Sequence, residues 1–570
     1  MKKGNIASEG IGIGEAVTMT HEEIVVEEKQ CEDTKQSLET LEDALEKSTK
    51  DLKRIRDNAE KTMGNEHAEI FDAHIQMVND PEMSNQVKAM IEGDNLCPDA
   101  AYDKVAKQFI DIFENMEDDY FKERAADIKD IRKRVLTYLQ GKNPSDPSLM
   151  DKSSIVIAHD LTPSDTASLN LDHVKGFVTE VGGLTSHTAI MARALGIPAI
   201  VGAEGVLKNV SEGDTVALDA IDHDIYINPS EDTLKTMRDK DARYQEYLED
   251  LKRFKDQPTK TKDGQAVPLH ANVGSPKETD AIKRSGAEGV GLFRTEFLFM
   301  ESDTMPDEET QIKAYQTVFD TVQPVIVRTL DVGGDKNIPY IEQPKEDNPF
   351  LGKRAIRLCF DEVELFKTQL RALLRASKDH EDVKIMLPMV AVVSEVRRAR
   401  NILEEVEADL KREGTPYQTN IKLGIMIEIP AAALNARALA KEVDFFSIGT
   451  NDLIQYLFAA DRMNESVAYL YEPYDPTLLR VMKETLDAAH AEGIEIGVCG
   501  ELAGEKDLAL VLAGMGMDEL SMSPSRILEI RKTLYKLSMK DLKQLTHDVL
   551  AAEEAVDVKK IIKQFKDDKL

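Results

Sequence analysis

Residues 289–297, GVGLFRTEF, and residues 324–331, PVIVRTLD, are short apolar runs, and each breaks at an arginine followed by polar residues. Runs of this length, bounded by Gly, Pro or charged residues, are typical of buried strands. Six further runs lie beyond residue 261 and alternate with helical patterns: AVPLHANV (266–273), KIMLPMV (384–390), KLGIMIEI (422–429), DFFSIGTND (444–452), IEIGVCGE (494–501) and DELSMS (518–523). Eight β and α units in alternation predict a (β/α)8 TIM barrel over residues 261–570.

The first half of the chain has a different pattern. Between residues 22 and 140 the apolar residues recur at helical spacing, which predicts a helical bundle; the first of these residues are Leu38, Leu41, Leu45, Leu52 and Ile55. Short β-like runs precede this segment at residues 12–17 and return after residue 146. We therefore expect a multidomain α/β chain, in which a small α/β domain (1–21 and 141–230) carries the bundle (22–140) as an insertion.

The stretch from residue 231 to residue 260 is rich in charged residues. Its composition favours a helical linker between the small α/β domain and the barrel. Such a linker makes movement between the two halves of the chain possible.

The chain has 570 residues with 72 Lys and Arg against 105 Asp and Glu, a net charge of −33. A field of this sign repels nucleic acid and anionic lipid surfaces, so both are poor partners. The first residues, MKKGNIASEG, lack the apolar core of a secretory leader, and no uninterrupted apolar stretch reaches the length of a membrane span. We expect a cytoplasmic protein without membrane insertion.

The four cysteines are Cys31, Cys97, Cys359 and Cys499. None of them forms a CxxC pair, and their spacing does not match a zinc or disulfide framework. We therefore expect each of them to be a reduced thiol.

Arginines at two strand ends indicate an anion site. A single arginine at a strand end most often makes a surface ion pair. Arg294 and Arg328, however, end consecutive predicted strands and should project into one barrel mouth, where guanidinium groups suit a phosphate or a carboxylate. Arg462, shortly after NDLIQYLFAAD (451–461), is a third candidate for this site.

Two carboxylates follow neighbouring strands of the same predicted barrel. Glu428 and Asp452 are hard oxygen ligands, which suit Mg²⁺ bound partly through substrate oxygens and water. They could instead pair with the arginines, although the Asn451 amide beside Asp452 favours substrate coordination. Cys499 is either a small buried residue or, at an active-site mouth, a proton donor to a carbon or an enolate.

The segment GGLTSHTAIMARALGIPAIVG (182–202) is the strongest motif of the small domain. Gly182 and Gly183 permit a tight turn, and a helix should begin near His187. An isolated histidine is more often structural, but a neutral imidazole in this setting is a nucleophile suited to reversible phosphoryl transfer. Upstream, Thr162 or Thr166 of TPSDTA could reach the imidazole or could simply cap a helix.

These segments resemble motifs of the phosphoenolpyruvate-utilising enzymes. GGLTSHTAIMAR resembles their phosphohistidine signature and DFFSIGTNDLIQY their second signature; the other matching segments, in order along the chain, are FRTEFL, RTLDVGGDK, NPFLGKRAIR, MIEIPAA and GVCGELAG. The resemblance covers essentially the whole chain and is strongest to the enzyme I group of the sugar phosphotransferase system.

The resemblance implies a role for each matching residue. His187 would accept the phosphoryl group, Thr166 would hydrogen-bond its imidazole, and Cys499 would protonate the enolate to give pyruvate. Glu428 and Asp452 would hold Mg²⁺. The residues implied to bind phosphoenolpyruvate are Arg294, Arg328, Lys336, Asn451 and Arg462.

The resemblance also implies partners. The phosphoryl group would pass from His187 to the small phosphocarrier protein HPr, docked on the helical insertion, and the barrel would form a homodimer. Two positions depart from the pattern: Leu184 stands where many relatives carry Arg, and Lys353 stands where some are expected to carry an aromatic residue. Leu184 removes a charge that would tune phosphorylated His187.

Three other functions are less consistent with the sequence. A phosphoenolpyruvate synthase or pyruvate phosphate dikinase needs a large nucleotide-binding domain, but the roughly 145 residues before the histidine domain are helical and lack a Gly-rich phosphate loop. A non-enzymatic interaction protein would not need the full set of polar strand ends. An ordinary barrel lyase or kinase would leave GGLTSHTA without a role.

Overall fold

The computed structural model describes the following residues: 4–19, 26–31, 33–63, 65–114, 119–141, 152–161, 165–166, 169–183, 186–300, 302, 304–333, 338, 340–341, 346–462, 464 and 466–570. They form two compact units, Met1–Tyr247 and Leu248–Leu570, and each unit is described by itself. Within these ranges, no helix is both long enough and apolar enough to cross a membrane.

A seven-stranded sheet forms the centre of the first unit, in the order β1-β5-β4-β3-β2-β6-β7. Its strands are β1 (Asn5–Ser8), β2 (Ile11–Met19), β3 (Ser154–Ala158), β4 (Val174–Thr179), β5 (Ala199–Val201), β6 (Thr215–Asp219) and β7 (Asp224–Ile227). The strands β2, β3, β4 and β5 are parallel neighbours, whereas β1, β6 and β7 pair antiparallel. All five residues of β3 are buried, as the apolar run SIVIA requires of a central strand.

Five helices lie between β2 and β3 in the part of this segment that the structure describes. They are α1 (Thr34–Met63), α2 (Asn65–Val78), α3 (Pro81–Asp94), α4 (Pro98–Glu114) and α5 (Asp119–Leu139). Their own apolar core includes Leu41, Leu52 and Ile55, so the helical spacing correctly identified the buried face of α1. Asp80 caps α3 by accepting hydrogen bonds from the backbone N–H groups of Glu82 and Met83.

The expectation of four reduced thiols is wrong for one pair of cysteines. Cys31 and Cys97 form a disulfide across 66 residues of sequence, with their Cα atoms 4.9 Å apart. The backbone brings them together, because Cys31 N–H donates to Asn95 O and Cys97 N–H donates to Lys29 O, at 2.8 and 2.9 Å. No local spacing motif encodes a contact of this kind. Cys359 and Cys499 are free and buried.

Further helices of the first half lie after strands of the sheet. The helix α6 (His187–Leu195) follows the Gly-Gly turn, and α7 (Glu231–Lys252) occupies most of the predicted linker. The linker prediction therefore identified a helix, which ends at Lys252.

The second unit is a closed barrel of eight parallel strands, as predicted. The strands are β8 (Leu269–Val273), β9 (Val290–Phe293), β10 (Val325–Arg328), β11 (Val383–Leu387), β12 (Lys422–Ile427), β13 (Phe445–Ile448), β14 (Glu495–Val498) and β15 (Glu519–Met522). Each of the eight apolar runs contributes one strand. Since parallel strands all end at one rim, the polar residues after them converge there.

Helices surround the barrel strands. They are α8 (Thr279–Ser285), α9 (Glu296–Met300), α10 (Glu308–Phe319), α11 (Ile356–Asp361), α12 (Val363–Ala376), α13 (Val393–Glu413), α14 (Pro430–Leu434), α15 (Ala436–Ala440), α16 (Thr450–Leu457), α17 (Pro476–Ala491), α18 (Lys506–Met515), α19 (Pro524–Lys536), α20 (Met539–Ala551) and α21 (Ala555–Lys569). The main core lies between strands and helices. A smaller cluster fills the barrel itself, formed by Leu292, Ile326, Met386, Met426, Phe445 and Cys499.

Candidate active site

Arg328 is the last residue of β10 and lies buried at the carboxyl-terminal mouth of the barrel. Its Nη2 donates to Glu296 Oε1 at 2.8 Å, and its Nη1 lies 2.9 Å from Asp331 Oδ2. Burial lowers the pKa of Arg328. The negative charges of Glu296, Asp331 and Glu428 have the larger, opposite effect and hold this pKa above its usual value. Arg328 is therefore held by buried ion pairs and does not form the solvent-exposed ion pair that is usual for an arginine at a strand end.

Arg354 belongs to the same cluster, and sequence reasoning assigned it no role. Its Nη2 donates to both carboxylate oxygens of Asp331, at 2.9 and 3.1 Å, and lies 3.6 Å from Asp452 Oδ2. Burial lowers the pKa of Arg354, while Asp331, Asp452 and Glu428 raise it above the usual value. The sequence did contain a signal for Arg354, because this residue stands in the segment NPFLGKRAIR (348–357), one of the segments that resemble motifs of the family.

Two carboxylates lie opposite these arginines. Glu428 follows β12 and is 1% exposed, and Asp452 lies in the first turn of α16. Burial raises the pKa of Glu428 above its usual value, and the negative charges of Asp452 and Asp331 raise it further. Glu428 Oε1 accepts a hydrogen bond from Met389 N–H at 2.5 Å, which opposes this effect.

A glycine makes room for the Glu428 side chain. A Cβ atom at Gly449 would lie 3.0 Å from Glu428 Oε2 and 2.7 Å from Met426 Sδ. A larger residue here would therefore crowd both the Met426 side chain and the Glu428 carboxylate. The signature DFFSIGTND thus contributes Asp452 and also the space that Glu428 occupies.

The other predicted anion-binding residues are less enclosed. Asn451 is half-buried, and its Oδ1 accepts from Glu501 N–H at 3.3 Å. Arg294 is half-buried directly after β9, and its N–H donates to Val273 O at 3.0 Å. Arg462 is exposed, and its N–H donates to Gln455 Oε1 at 3.2 Å. Lys336 lies outside the described residues.

Cys499 follows β14 and is 1% exposed. Its Sγ lies 3.7 Å from Ile448 O, while Asn272 Nδ2 donates to the Cys499 carbonyl at 2.8 Å. Burial raises the pKa of the Cys499 thiol to about 11. The thiol is therefore protonated at neutral pH and can act as an acid.

The histidine motif lies in the first unit. His187 is the first residue of α6, and Ser186 caps the helix, with its Oγ accepting from Ala189 N–H at 3.4 Å. Gly182 has a φ of 103°, which the turn before the helix requires. Exposed N–H groups at a helix start favour an anion such as phosphate. The His187 side chain lies outside the described part of the structure.

Thr162 and Thr166, upstream of this turn, are the threonines that the sequence offered as contacts of the imidazole. Thr166 is fully buried, and Thr162 and Leu184 lie outside the described residues. Thr188, which follows His187, is buried, and its hydroxyl has no hydrogen-bond partner among the described residues. The contact expected between Thr166 and the imidazole stays a prediction.

Protein-family models match this chain in the same order as the domains that its motifs predict. Models described as PEP-utilising enzyme N-terminal, mobile domain and PEP-binding domain match residues 3–124, 150–222 and 248–539, respectively. The phosphoenolpyruvate-protein phosphotransferase of Priestia megaterium is 47% identical over 563 residues, which cover 98% of this chain and 98% of that protein. The chain belongs to the phosphoenolpyruvate-protein phosphotransferase family.

Other members of the family are similarly close. The phosphoenolpyruvate-protein phosphotransferase of Bacillus subtilis strain 168 is 44% identical over 564 residues, which cover 99% of each chain. A solved structure described as an NMR solution structure of Enzyme I (nEIt) is 39% identical; it covers 43% of this chain and 100% of its own, with a TM-score of 0.40.

The residues present suit the divalent cation that is expected in this phosphotransferase family. Glu428 and Asp452 converge with Asp331 at one mouth, and Asp452 Oδ1 is buried without a hydrogen-bond partner among the described residues. Buried carboxylates in this number favour a cation beyond the two arginines. Within the described residues, no three His, Cys, Asp or Glu side chains form a complete metal site, so substrate oxygens and water would have to supply the remaining ligands of the cation.

Proposed function

We propose that this chain transfers the phosphoryl group of phosphoenolpyruvate to its own His187 and then to the phosphocarrier protein HPr, and releases pyruvate. One observation carries the proposal. Arg328 and Arg354 lie with Glu428 and Asp452 at one barrel mouth, in a chain whose full-length relatives are named phosphoenolpyruvate-protein phosphotransferases.

The arginines bind and polarise the substrate. Arg328 and Arg354 keep their positive charge because buried carboxylates raise their pKa values. Their guanidinium groups suit the phosphate and carboxylate oxygens of phosphoenolpyruvate. Arg294, Asn451 and Arg462 extend this site toward the rim, and Lys336 completes the set that the family resemblance implies.

In the transfer step a neutral imidazole nitrogen of His187 attacks phosphorus in line. The bond between phosphorus and the enol oxygen breaks, and the electron pair stays on oxygen as the enolate of pyruvate. Positive charge beside the phosphoryl oxygens stabilises the transition state. The positive end of the α6 helix dipole then favours the phosphorylated imidazole.

Cys499 completes the release of pyruvate. Its buried thiol is protonated at neutral pH, so it can give its proton to the methylene carbon of the enolate. The C–H bond that forms converts the enolate to pyruvate, and the resulting thiolate takes a proton from solvent. Cys499 thereby acts as the general acid of the barrel.

Glu428 and Asp452 would hold Mg²⁺ together with substrate oxygens and water. Two protein carboxylates are enough for this ion, because Mg²⁺ usually keeps several waters and binds substrate phosphates. When bound, the ion neutralises charge on the phosphoryl group.

The helical bundle α1 to α5 is the proposed docking site for HPr. It lies in the chain between β2 and β3 of the sheet that also carries the His187 helix. The cytoplasmic location and the homodimer through the barrel belong to this same proposal and rest on the sequence and the family resemblance.

A phosphoenolpyruvate synthase or pyruvate phosphate dikinase is disfavoured. Phosphoenolpyruvate-protein phosphotransferases match 98–99% of the chain over 98–99% of their own length. The described residues before β3 form two strands and five helices rather than a nucleotide-binding domain.

Intact mass spectrometry tests the proposal. The full chain, incubated with phosphoenolpyruvate and Mg²⁺, should gain one acid-labile phosphoryl group and release pyruvate. The variant His187→Ala should gain none, whereas His173→Ala, a histidine outside the motif, should be phosphorylated normally. A full acid-labile phosphoryl group on His187→Ala would show that another residue is the acceptor.

A further inference from the structure

Tyr456 belongs to the signature segment DFFSIGTNDLIQY (444–456), and the proposed reaction gives it no role. It lies in α16 (Thr450–Leu457), four residues after Asp452, so the two side chains share one face of the helix. The tyrosine is half-buried. Its phenol is therefore one helical turn away from a carboxylate of the candidate active site.

The Tyr456 hydroxyl makes two hydrogen bonds. Arg354 Nη1 donates to it at 3.4 Å, and the hydroxyl donates to Phe350 O at 2.5 Å. A guanidinium can only donate and a carbonyl oxygen can only accept, so the direction of both bonds is fixed. Tyr456 thus links an active-site arginine to the backbone of residue 350.

Both bonds require the neutral form of the phenol. Burial raises the pKa of Tyr456 to about 12, although the positive charge of Arg354 opposes this effect. A phenolate could still accept from Arg354, but it could not donate to Phe350 O. The link between the arginine and the backbone is therefore intact throughout the neutral range.

The Arg354 guanidinium is held from two sides. Its Nε and Nη2 donate to Asp331 Oδ1, at 3.3 and 2.9 Å, whereas its Nη1 donates to Tyr456. In the part of the chain that the structure describes, Tyr456 is the one hydrogen-bond partner of Nη1. A guanidinium held by a carboxylate alone can pivot about that contact. A second contact, at the other terminal nitrogen, fixes its orientation.

The backbone near Arg354 depends on the same hydroxyl. Phe350 lies in a short 3₁₀ turn (Pro349–Leu351), and its carbonyl accepts from Tyr456. Its ring centre lies 6.0 Å from Arg354 Cζ, which is within the range of a cation–π contact. Loss of the hydroxyl would release the turn and the guanidinium together.

We propose that Tyr456 is a positioning residue for phosphoenolpyruvate: its hydroxyl fixes the Arg354 guanidinium against the Phe350 turn, so that the guanidinium meets the substrate anion already oriented. The inference rests on the proposed function, in which Arg354 binds phosphoenolpyruvate. A preorganised group loses less conformational freedom when the substrate binds, which increases affinity. In this role Tyr456 touches no substrate and acts only through Arg354.

Steady-state pyruvate release by the full chain, with HPr as the acceptor, tests this role. Tyr456→Phe keeps the ring and loses the hydroxyl, so kcat/KM for phosphoenolpyruvate should fall about tenfold to a hundredfold, mainly through a higher KM. The matched control is Tyr535→Phe. It also loses a hydrogen bond to a backbone carbonyl, that of Pro258 at 2.7 Å, and should behave like the wild type.

A double-mutant cycle separates positioning from a merely structural role. If Tyr456 acts only through Arg354, its hydroxyl should matter little once the guanidinium is gone. The double variant Tyr456→Phe with Arg354→Lys should therefore have a kcat/KM within about twofold of that of Arg354→Lys alone. Losses that multiply in the double variant would overturn the proposal.

Phosphorylation of His187 by phosphorylated HPr needs no barrel residue in the proposed function, so it should be unchanged in Tyr456→Phe. A defect there as large as the one with phosphoenolpyruvate would contradict the positioning role. So would an unchanged KM in folded Tyr456→Phe, even with a lower kcat, because loss of folded enzyme lowers only the apparent kcat.

Tyr456→Leu, which also lacks the hydroxyl, decides the question alone if melting shows that Tyr456→Phe does not fold. The wild type distinguishes failure of this inference from failure of the proposed function. A wild type that releases no pyruvate overturns both, whereas an active wild type with an unchanged KM in the variant overturns only the role of Tyr456.

Discussion

At the scale of single residues, two arginines of the candidate active site are also members of buried ion pairs. Arg328 and Arg354 both pair with Asp331, a carboxylate that is 2% exposed. Removal of one charge from such a pair leaves the other buried and unpaired, which costs about 3–5 kcal/mol. Substitutions that keep the charge therefore separate catalysis from stability better than substitutions by alanine.

We expect Arg354→Lys to fold normally and to lose turnover with phosphoenolpyruvate about tenfold to a thousandfold, because lysine keeps the charge but loses the two-pronged contact with Asp331. Pyruvate release measures turnover, and thermal melting measures folding. The matched control is Arg397→Lys, at a surface pair with Glu442. Equal turnover in Arg354→Lys and wild type would mean that Arg354 only supports the fold.

Cys499 has a raised pKa, which makes its thiol an acid at neutral pH. Cys499→Ala should therefore slow deuterium exchange between solvent and the methyl group of pyruvate, about a hundredfold to ten-thousandfold. The exchange is followed by NMR in deuterated buffer.

The control for this measurement is Cys359→Ala, at the other free and buried cysteine. Because the pKa of Cys499 is raised to about 11, the forward reaction should keep its acid throughout the neutral range and lose it only near pH 11. Unchanged exchange in Cys499→Ala would assign proton transfer to another group.

At the scale of elements, the disulfide joins the chain just before α1 to the chain just before α4. It closes a loop that contains the whole of α1, α2 and α3. In the chain-entropy account, a cross-link over 66 residues stabilises the folded state by restricting the unfolded chain.

The double variant Cys31→Ser with Cys97→Ser should lower the free energy of unfolding of the helical bundle by about 4 kcal/mol. Urea unfolding followed by circular dichroism measures this difference. A reducing agent should destabilise the wild type by a similar amount and leave the double variant unchanged. If the reductant affects neither protein, the bond does not form in solution and the expectation of reduced thiols was right.

At the scale of the whole molecule, the residues proposed for the reaction belong to two different units. His187 and the helical bundle belong to Met1–Tyr247, whereas Arg328, Arg354, Glu428 and Asp452 belong to Leu248–Leu570. Each unit should therefore retain one part of the proposed reaction.

A fragment of residues 1–247 should accept a phosphoryl group from phosphorylated HPr, because that exchange needs only His187 and the docking helices. It should accept none from phosphoenolpyruvate, since the barrel residues are absent. Intact mass spectrometry with each donor separately gives the result, and circular dichroism shows that the fragment is folded.

Two outcomes of this experiment would contradict the assignment. Phosphorylation of the fragment by phosphoenolpyruvate would place the substrate site in the first unit. Failure with phosphorylated HPr, in a folded fragment, would remove the docking role from the helical bundle.

Local patterns in the sequence were sufficient to predict the barrel and the candidate nucleophile. Strand and helix periods are properties of a few consecutive residues, so each of the eight apolar runs could be located. Four of the runs, those of β9, β10, β12 and β13, end in the mouth residues Arg294, Arg328, Glu428 and Asp452. The turn before α6 is equally local, because Gly182 and the Ser186 cap lie within five residues of His187.

Only the tertiary structure decided which distant residues meet. Arg354 contacts Asp331 and Asp452, Cys31 bonds to Cys97, and His270 pairs with Glu519 across almost the whole barrel sequence. These contacts depend on how the sheet closes and how the loops return, and no short-range period encodes them.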